Sequence, residues 1–240
     1  MATLRTLLAC LACATSAVAG ELTAPDVIAK ARAALGGEAA LTAVRNVQFE
    51  LTSVDAAGKP AGFTLLEVAS PNQRYQLSLN ANRTIEEILA TNGNEGWRKS
   101  TQTTQIGVLR AELVAVLGDM AVSDLMFMAA PPVRTGTVKL APPTTINGRP
   151  QICLDYTYKS GFRLLRHFDA ETFLLTASDQ PMPDGKVQRQ LVTATEVVGG
   201  ILFTKKEVVF VDGKKVADVT YDRIAVNTEL NKVHFVFPTR

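Results

Sequence analysis

Histidine, cysteine and acidic side chains are the groups through which this sequence could do acid–base or metal chemistry, and the histidines and cysteines among them are few. The two histidines, His167 and His234, each lie in a segment that also carries large apolar residues. His167 and Asp169 have the composition of a metal pair, but a zinc site needs a third protein ligand and usually a fourth. We therefore expect both histidines to be hydrogen-bonded structural residues, and we expect no metal site.

The local motifs of the common catalytic classes are also missing. The sequence has no G-x-S-x-G elbow, no H-E-x-x-H, no P-loop and no Rossmann glycine fingerprint. Glu86 and Glu87 are adjacent in a predicted strand, so their side chains point to opposite faces and cannot act as a pair. Cys153 is expected to be a small buried hydrophobe, and Arg163 and Arg166 are expected to lie on a solvated face. These patterns predict no catalytic residue, no cofactor and no enzyme, although a site assembled from distant strands would leave no such pattern.

A cluster of methionines is the strongest positive feature. Met120, Met126 and Met128 fall within nine residues, and only Met1 and Met182 lie elsewhere. Methionine adapts its shape to irregular partners, which suits a surface that receives acyl chains or an apolar segment. The alternative is that the cluster belongs to an ordinary pair of core helices.

Two segments have helical periodicity. The first begins with a capping-box pattern at Thr23 and ends at Gly36. The second covers residues 108–129, with Gly118 expected to divide it into two pieces. Pro131-Pro132 ends it firmly. Because Gly118 and Pro131-Pro132 flank the segment that carries the three methionines, this segment is predicted to be a mobile lid.

Almost all of the remaining sequence is typical of β-strands. Alternating apolar and polar residues are separated by two-residue turns such as Gly199-Gly200 and Asp212-Gly213, and a last strand is predicted over Val233–Phe237. Short turns make neighbouring strands antiparallel. Two helical segments cannot cover a flat sheet of this width. We therefore predict a mainly β fold with some α: an antiparallel, strongly curved, open half β-barrel of about 10–11 strands, with helices covering its concave face.

The first nineteen residues are predicted to be a cleaved signal peptide. A single arginine precedes the apolar run at 7–14, and Ala17-Val18-Ala19 is a small-x-small site, so cleavage is expected before Gly20. The apolar run is too short to span a bilayer. The sequence thus predicts a periplasmic protein with a single domain over residues 20–240.

Charge and cysteine content limit the classes of partner. The formal net charge is +2, and removal of Arg5 with the signal peptide leaves +1, which gives no electrostatic case for nucleic acid. Cys10 and Cys13 lie in the apolar run, so a lipoprotein signal is the less favoured alternative. After cleavage Cys153 is the only cysteine, so no internal disulfide can form and the fold must rely on its apolar core.

The order of turns and aromatics resembles the LolA-like family of periplasmic lipoprotein-sorting and lipid-carrying proteins. That family has an arginine-proline step, an aromatic, a D/N-G turn and a tryptophan, followed by a helical lid and a run of antiparallel strands. Here these positions are Ser70-Pro71, Tyr75, Asn92-Gly93 and Trp97, so the family's lid-holding arginine is a serine. The resemblance covers nearly the whole chain after the signal peptide. It implies an unclosed β-barrel with acyl chains bound between the sheet and the helices.

The leading hypothesis is therefore a monomeric periplasmic carrier of lipidated proteins or free lipid, with possible donor and acceptor proteins at the membranes. The alternative is a protein-binding or envelope-sensing module of the same fold with a filled interior. Twelve residues are predicted to line the lipid-binding cavity: Phe49, Leu51, Leu65, Tyr75, Leu77, Trp97, Leu113, Leu117, Met120, Leu125, Met126 and Met128.

Overall fold

A computed structural model describes residues 22–101 and 105–238, and the predicted signal peptide lies outside the described residues. The helices are α1 (Ala24–Leu35), α2 (Glu38–Thr42) and α3 (Ala111–Leu125), and a 3₁₀ helix covers Lys232–Phe235. The strands are β1 (Asn46–Asp55), β2 (Pro60–Ala69), β3 (Gln73–Asn80), β4 (Ile85–Thr91), β5 (Gly96–Ser100), β6 (Gly107–Val108), β7 (Gly136–Ile146), β8 (Arg149–Tyr158), β9 (Arg163–Asp169), β10 (Leu175–Pro181), β11 (Val187–Val198), β12 (Ile201–Val211) and β13 (Lys214–Val226).

All of these strands form one antiparallel sheet, in the order β6-β5-β4-β3-β2-β1-β13-β12-β11-β10-β9-β8-β7. The chain makes two meanders, β1–β6 and β7–β13, and the pairing of β1 with β13 joins them. β6 and β7 are the two edges, so the sheet is unclosed. The predicted mainly β, antiparallel, open architecture with helices is confirmed.

The number of strands was underestimated, because β6 is only two residues long and β7 contains Pro142 and Pro143. Proline cannot donate to a sheet ladder, so this segment gave no strand pattern. β7 is an edge strand with one partner, and its pairing with β8 shifts register between Ala141 and Thr144, where the prolines lie. At the other end, the predicted strand over Val233–Phe237 is wrong, since Lys232–Phe235 is a 3₁₀ helix.

The N-terminal helix has the predicted capping box. The Thr23 amide donates to the Asp26 carboxylate at 2.9 Å, and the Asp26 amide donates to the Thr23 hydroxyl at 3.4 Å. Gly36 follows the last turn with a φ of 138°, which favours glycine. The buried face of α1 carries Val27 and Ile28, which pack on the C-terminal meander.

The predicted break at Gly118 is wrong, because α3 runs without interruption through that residue. Glycine inside a helix costs about 1 kcal/mol relative to alanine. Val114, Leu117 and Ala121 are buried on the same helix, and packing of such an apolar stripe outweighs the propensity of one residue. The helix ends at Leu125, four residues earlier than predicted.

The two faces of the sheet are covered differently. We call the face that contacts α1 and α3 the helix face; on β2 and β3 it carries Leu66 and Arg74. The opposite, outer face carries Tyr75 and Trp97, which pack with Phe235 from the C-terminal segment. No helix in the described ranges is long and apolar enough to cross a membrane.

Candidate functional site

A cavity of about 290 Å³ lies between the helix face and the C-terminal half of α3. Its apolar wall combines strand residues such as Phe49, Leu164 and Phe203 with Met120 and Met128 from α3 and the segment that follows it. Aromatic side chains meet edge to face there, with the rings of Phe49 and Phe203 6.1 Å apart. The cavity is near the lower end of the size range of small-molecule sites.

Three of the twelve residues singled out from the sequence, Phe49, Met120 and Met128, line this cavity. β1 places Phe49 there because its cross-strand neighbours on the helix face, Leu66 and Ile224, fix its direction. The role of these three residues in lipid binding stays a prediction.

Four of the twelve lie on the outer face instead: Leu65, Tyr75, Leu77 and Trp97. Leu65 pairs with Leu77, and Tyr75 is two residues from Leu77 on β3, so these three share a face. Trp97 packs in the same cluster, and all four point away from α3. The alternation on β3 does not reveal this, because its apolar residues are buried by the C-terminal segment while its polar residues face the helices. His234 of that segment stacks on Tyr75 at 4.1 Å and bonds the Glu67 carboxylate at 2.8 Å, so its predicted structural role is confirmed.

The remaining five do not line the cavity. Leu117 packs with the buried Leu109 and with Val114 on the buried face of α3, whereas Leu113 is 38% exposed. Leu125 packs in the cluster around Phe203. Leu51 pairs with Tyr221, and Met126 follows the last residue of α3.

Hydrogen bonds from Arg32 of α1 hold the residues that follow α3; we call these bonds the latch. Arg32 is buried, and its Nη1 donates to the carbonyl of Phe127 at 2.9 Å and also to the carbonyl of Met126. Phe127 and Met128 have φ values of 45° and 68°, an unfavourable region for large side chains. The Tyr156 hydroxyl donates to the Met128 carbonyl at 2.6 Å. Arg32 therefore holds the chain over the cavity in this structure, and it does so from α1 rather than from the position of Ser70.

Removing this latch tests its strength. Arg32→Met leaves two carbonyls without their donor, which is expected to destabilise the protein by about 2 kcal/mol. Amide hydrogen exchange at residues 126–130 should accelerate more than in the rest of the chain. Arg163→Met is the matched control, because Arg163 forms an exposed ion pair with Asp155 and should cost under about 1 kcal/mol. Equal exchange in both variants would show that Arg32 is not a latch.

A polar cluster that the sequence did not reveal forms the other wall of the cavity. Arg74 Nη1 donates to the Asp124 carboxylate of α3 at 2.7 Å. Arg166 Nη2 donates to the Ser123 hydroxyl at 2.9 Å, and its guanidinium lies 4.8 Å from the ring centre of Tyr156. The expectation that Arg166 is solvated is wrong, since it is 6% exposed. Arg163 and Arg166 are three positions apart on one strand, so their side chains point to opposite faces of the sheet.

Burial changes the acid–base properties of this cluster. It raises the pKa of Glu207 to about 7, against the opposing hydrogen bonds from Gln190 and Tyr221. It also raises the pKa of Asp124, which the Arg74 and Arg166 guanidinium groups oppose. The Asp124 side chain lines the cavity but is 40% accessible, so water partly screens its charge. One wall of the cavity is thus oily and the other carries ionisable groups.

Cys153, His167 and Asp179 form a hydrogen-bonded row on the outer face. Cys153 Sγ lies 3.3 Å from His167 Nδ1, and His167 Nε2 lies 3.0 Å from Asp179 Oδ2. Both predicted assignments are confirmed, since Cys153 and His167 are 1% and 2% exposed. Burial raises the pKa of the Cys153 thiol, which disfavours the nucleophilic thiolate. Hydrogen bonds from Arg189 and His167 outweigh the burial of Asp179 and lower its pKa to about 2. This row is a structural network in which the thiol is out of reach of a substrate.

Metal ligands do not converge in the part of the chain that the structure describes. No group of three or more His, Cys, Asp or Glu side chains there could hold a metal ion. The cavity therefore offers apolar surface and charged groups as its means of binding.

This chain has a LolA-like fold, since its unclosed antiparallel sheet with helices over one face superposes on known structures of that kind. A LolA superfamily protein from Nitrosomonas europaea superposes with a TM-score of 0.57 at 12% identity, over 90% of this chain and 99% of that one. A DUF1329 family protein from Desulfovibrio piger gives 0.56 at 12% identity, over 89% and 97%. An outer membrane lipoprotein-sorting protein domain from Vibrio parahaemolyticus gives 0.55 at 9% identity, over 88% and 94%. These similarities concern the fold alone.

Comparison at the level of sequence gave nothing further, since neither a family model nor a curated protein matches the chain.

Proposed function

We propose that this protein is a periplasmic, non-enzymatic carrier that binds the acyl chain of a lipid or lipoprotein in the cavity between α3 and the sheet. The observation that carries the proposal is the cavity itself, with Phe49, Met120 and Met128 on its wall. Tightly packed interiors rarely leave voids larger than a water molecule. A space of this size next to flexible methionine side chains suits an apolar guest.

Affinity for an acyl chain follows from burial. Each methylene group removed from water contributes about 0.8 kcal/mol. A carrier must also release its guest, so part of this gain has to offset opening of the site. The Arg32 contacts with the carbonyls of Met126 and Phe127 supply such a closure, because they must break before the segment over the cavity can move.

Export and partners complete the proposal. Residues 1–19 act as a cleaved signal peptide, which delivers a monomeric carrier to the periplasm, where it receives its guest from one membrane protein and passes it to another. The Vibrio parahaemolyticus structure is described as an outer membrane lipoprotein-sorting domain, and its shared fold makes a lipid-linked guest the first class to test.

Titration with a solvatochromic fatty-acid probe tests the proposal. We expect saturable binding at micromolar concentration, with a blue-shifted emission that unlabelled fatty acid or phospholipid reverses. Met120→Asp should weaken binding, because it places a charge on the oily wall. Absence of binding at micromolar probe would contradict the carrier and favour a protein-binding module of the same fold.

A further inference from the structure

We propose that the cavity selects an amphiphile with one acyl chain and an acidic headgroup, a carboxylate or a phosphate, held between Arg74 and Arg166. This inference rests on the proposed function and deepens it, because a purely oily site would not discriminate between headgroups. The observations that carry it are two buried guanidinium groups on the cavity wall: Arg74, which has an unpaired donor, and Arg166, which makes no salt bridge with a described carboxylate.

Arg74 is the first of these groups. It is 7% exposed and lines the cavity, and its Nε–H has no hydrogen-bond partner among the described residues. Its Nη1 is taken by Asp124, and its Nη2 reaches Gln76 only at 3.4 Å. A buried donor left unpaired costs free energy, more when it carries charge. A guanidinium binds carboxylates and phosphates through two parallel N–H donors. An acidic headgroup that replaces the long Gln76 contact at Nη2 would, after a small rotation of the guanidinium, also give the enclosed Nε–H an acceptor.

Arg166 is the second group. It projects from β9 into the same cavity and is held by the Ser123 hydroxyl and by the ring of Tyr156. Within residues 22–101 and 105–238 it makes no salt bridge with a carboxylate. A buried charge is stable when it is paired. Arg166 donates hydrogen bonds only to neutral groups, and the one described carboxylate whose charge it influences, Asp124, already forms an ion pair with Arg74. An anion in the cavity would give Arg166 a counter-charge of its own.

The charges around the cavity favour an anion. Its described ionisable lining residues are Arg74, Asp124, Arg166, Glu207 and Tyr221. Two guanidinium groups therefore face two carboxyl groups and a phenol. Burial raises the pKa of all three acids, with that of Glu207 near 7. Asp124 balances one guanidinium through its ion pair with Arg74, and Glu207, with a pKa of about 7, balances the other only in part at neutral pH. An incoming acidic group therefore improves the balance, whereas a cationic group worsens it.

The volume of the cavity sets the length of the enclosed chain. Liquid water occupies about 30 Å³ per molecule, and a methylene group is of similar size. A cavity of about 290 Å³ therefore has room for about ten such groups, the headgroup included. Affinity should rise about fourfold per added methylene up to this length and then level off, since each buried methylene contributes a constant increment.

Calorimetric titration of the full chain with four ten-carbon ligands tests the proposal: decanoic acid, decyl phosphate, decanol and decyltrimethylammonium. We expect at least one acid to bind ten or more times more tightly than decanol, and the ammonium compound to bind most weakly. The tighter of the two acids identifies the headgroup. Decanol binding as tightly as both acids would overturn the inference and leave the carrier intact. If none of the four binds, the proposed function fails as well.

Two variants separate headgroup binding from general stability. Arg74→Met should remove most of the preference for the acid over decanol, while the affinity for decanol itself changes less than twofold. Because this variant leaves Asp124 without its partner, Arg74→Met combined with Asp124→Asn provides a charge-balanced second test with the same expected result. Lys99→Met, at an exposed position on β5, is the matched control and should leave all affinities unchanged. An undiminished acid preference in both Arg74 variants would overturn the assignment.

Discussion

Replacing Val192 with tryptophan is expected to lower the affinity for the fatty-acid probe more than tenfold. Val192 lines the cavity from β11, and an indole is larger than an isopropyl group by roughly three methylene volumes. A guest that loses this space loses about 2 kcal/mol of burial, which corresponds to more than a tenfold loss of affinity. The protein should keep its stability or gain some, because the new side chain fills a void.

Val197→Trp is the control for this experiment. Val197 lies on the same strand but is 67% exposed, so the same substitution there should leave probe binding unchanged. The experiment measures probe affinity and the denaturant midpoint for both variants. Equal affinities in the two variants would mean that the guest does not enter the cavity.

Glu207 is expected to make the protein less stable as the pH rises from 5 to 8. Its folded-state pKa of about 7 lies above its ordinary value of 4.5, so the folded state binds more protons than the unfolded state between these values. The resulting stabilisation is fully present below the unfolded pKa and is lost as the pH rises through the folded pKa. A shift of this size corresponds to about 3 kcal/mol.

Glu207→Gln should remove this pH dependence, because the amide stays neutral and keeps its hydrogen-bonding partners. At pH 8 the variant should be about 3 kcal/mol more stable than the parent protein, and at pH 5 the difference should fall below about 1 kcal/mol. Urea unfolding at both pH values provides the measurement. Glu171→Gln, whose side chain is 84% exposed, should behave like the parent. A parent protein whose stability is flat over this range would contradict the assigned protonation of Glu207.

Local sequence patterns predicted the elements whose causes are local. The capping box of α1 depends on residues three positions apart, and the hairpin turns at Gly199-Gly200 and Asp212-Gly213 depend on residues that tolerate positive φ. Each of these two turns joins strands that pair in the structure. The open antiparallel sheet followed from the number of strands and from the shortage of helices to cover them.

The direction in which β3 faces depends on distant parts of the chain. Tyr75 alternates with Leu77 at strand spacing, which predicts one buried face, and Trp97 is predicted to line the same cavity. The structure buries them on the outer face under Phe235, which lies more than a hundred residues further along the chain. A strand with apolar residues on one face shows which residues are buried but not which layer buries them.

The polar wall of the cavity was missed for a related reason. Arg74, Asp124, Arg166 and Glu207 come from β3, α3, β9 and β12 and meet only in the folded chain. One signal was available, since Arg166 alternates with apolar residues on a strand whose other face carries the solvated Arg163. An arginine on the apolar face of a strand is a reason to expect a buried charge.

Native mass spectrometry of the protein isolated without detergent tests the central claim, which is that the space between α3 and the sheet holds an acyl chain. We expect a peak above the mass of the processed chain that disappears after organic denaturation and reappears on incubation with fatty acid, with a smaller liganded fraction in Val192→Trp than in the parent protein. A single unliganded peak that persists after incubation with fatty acid and phospholipid would contradict the account.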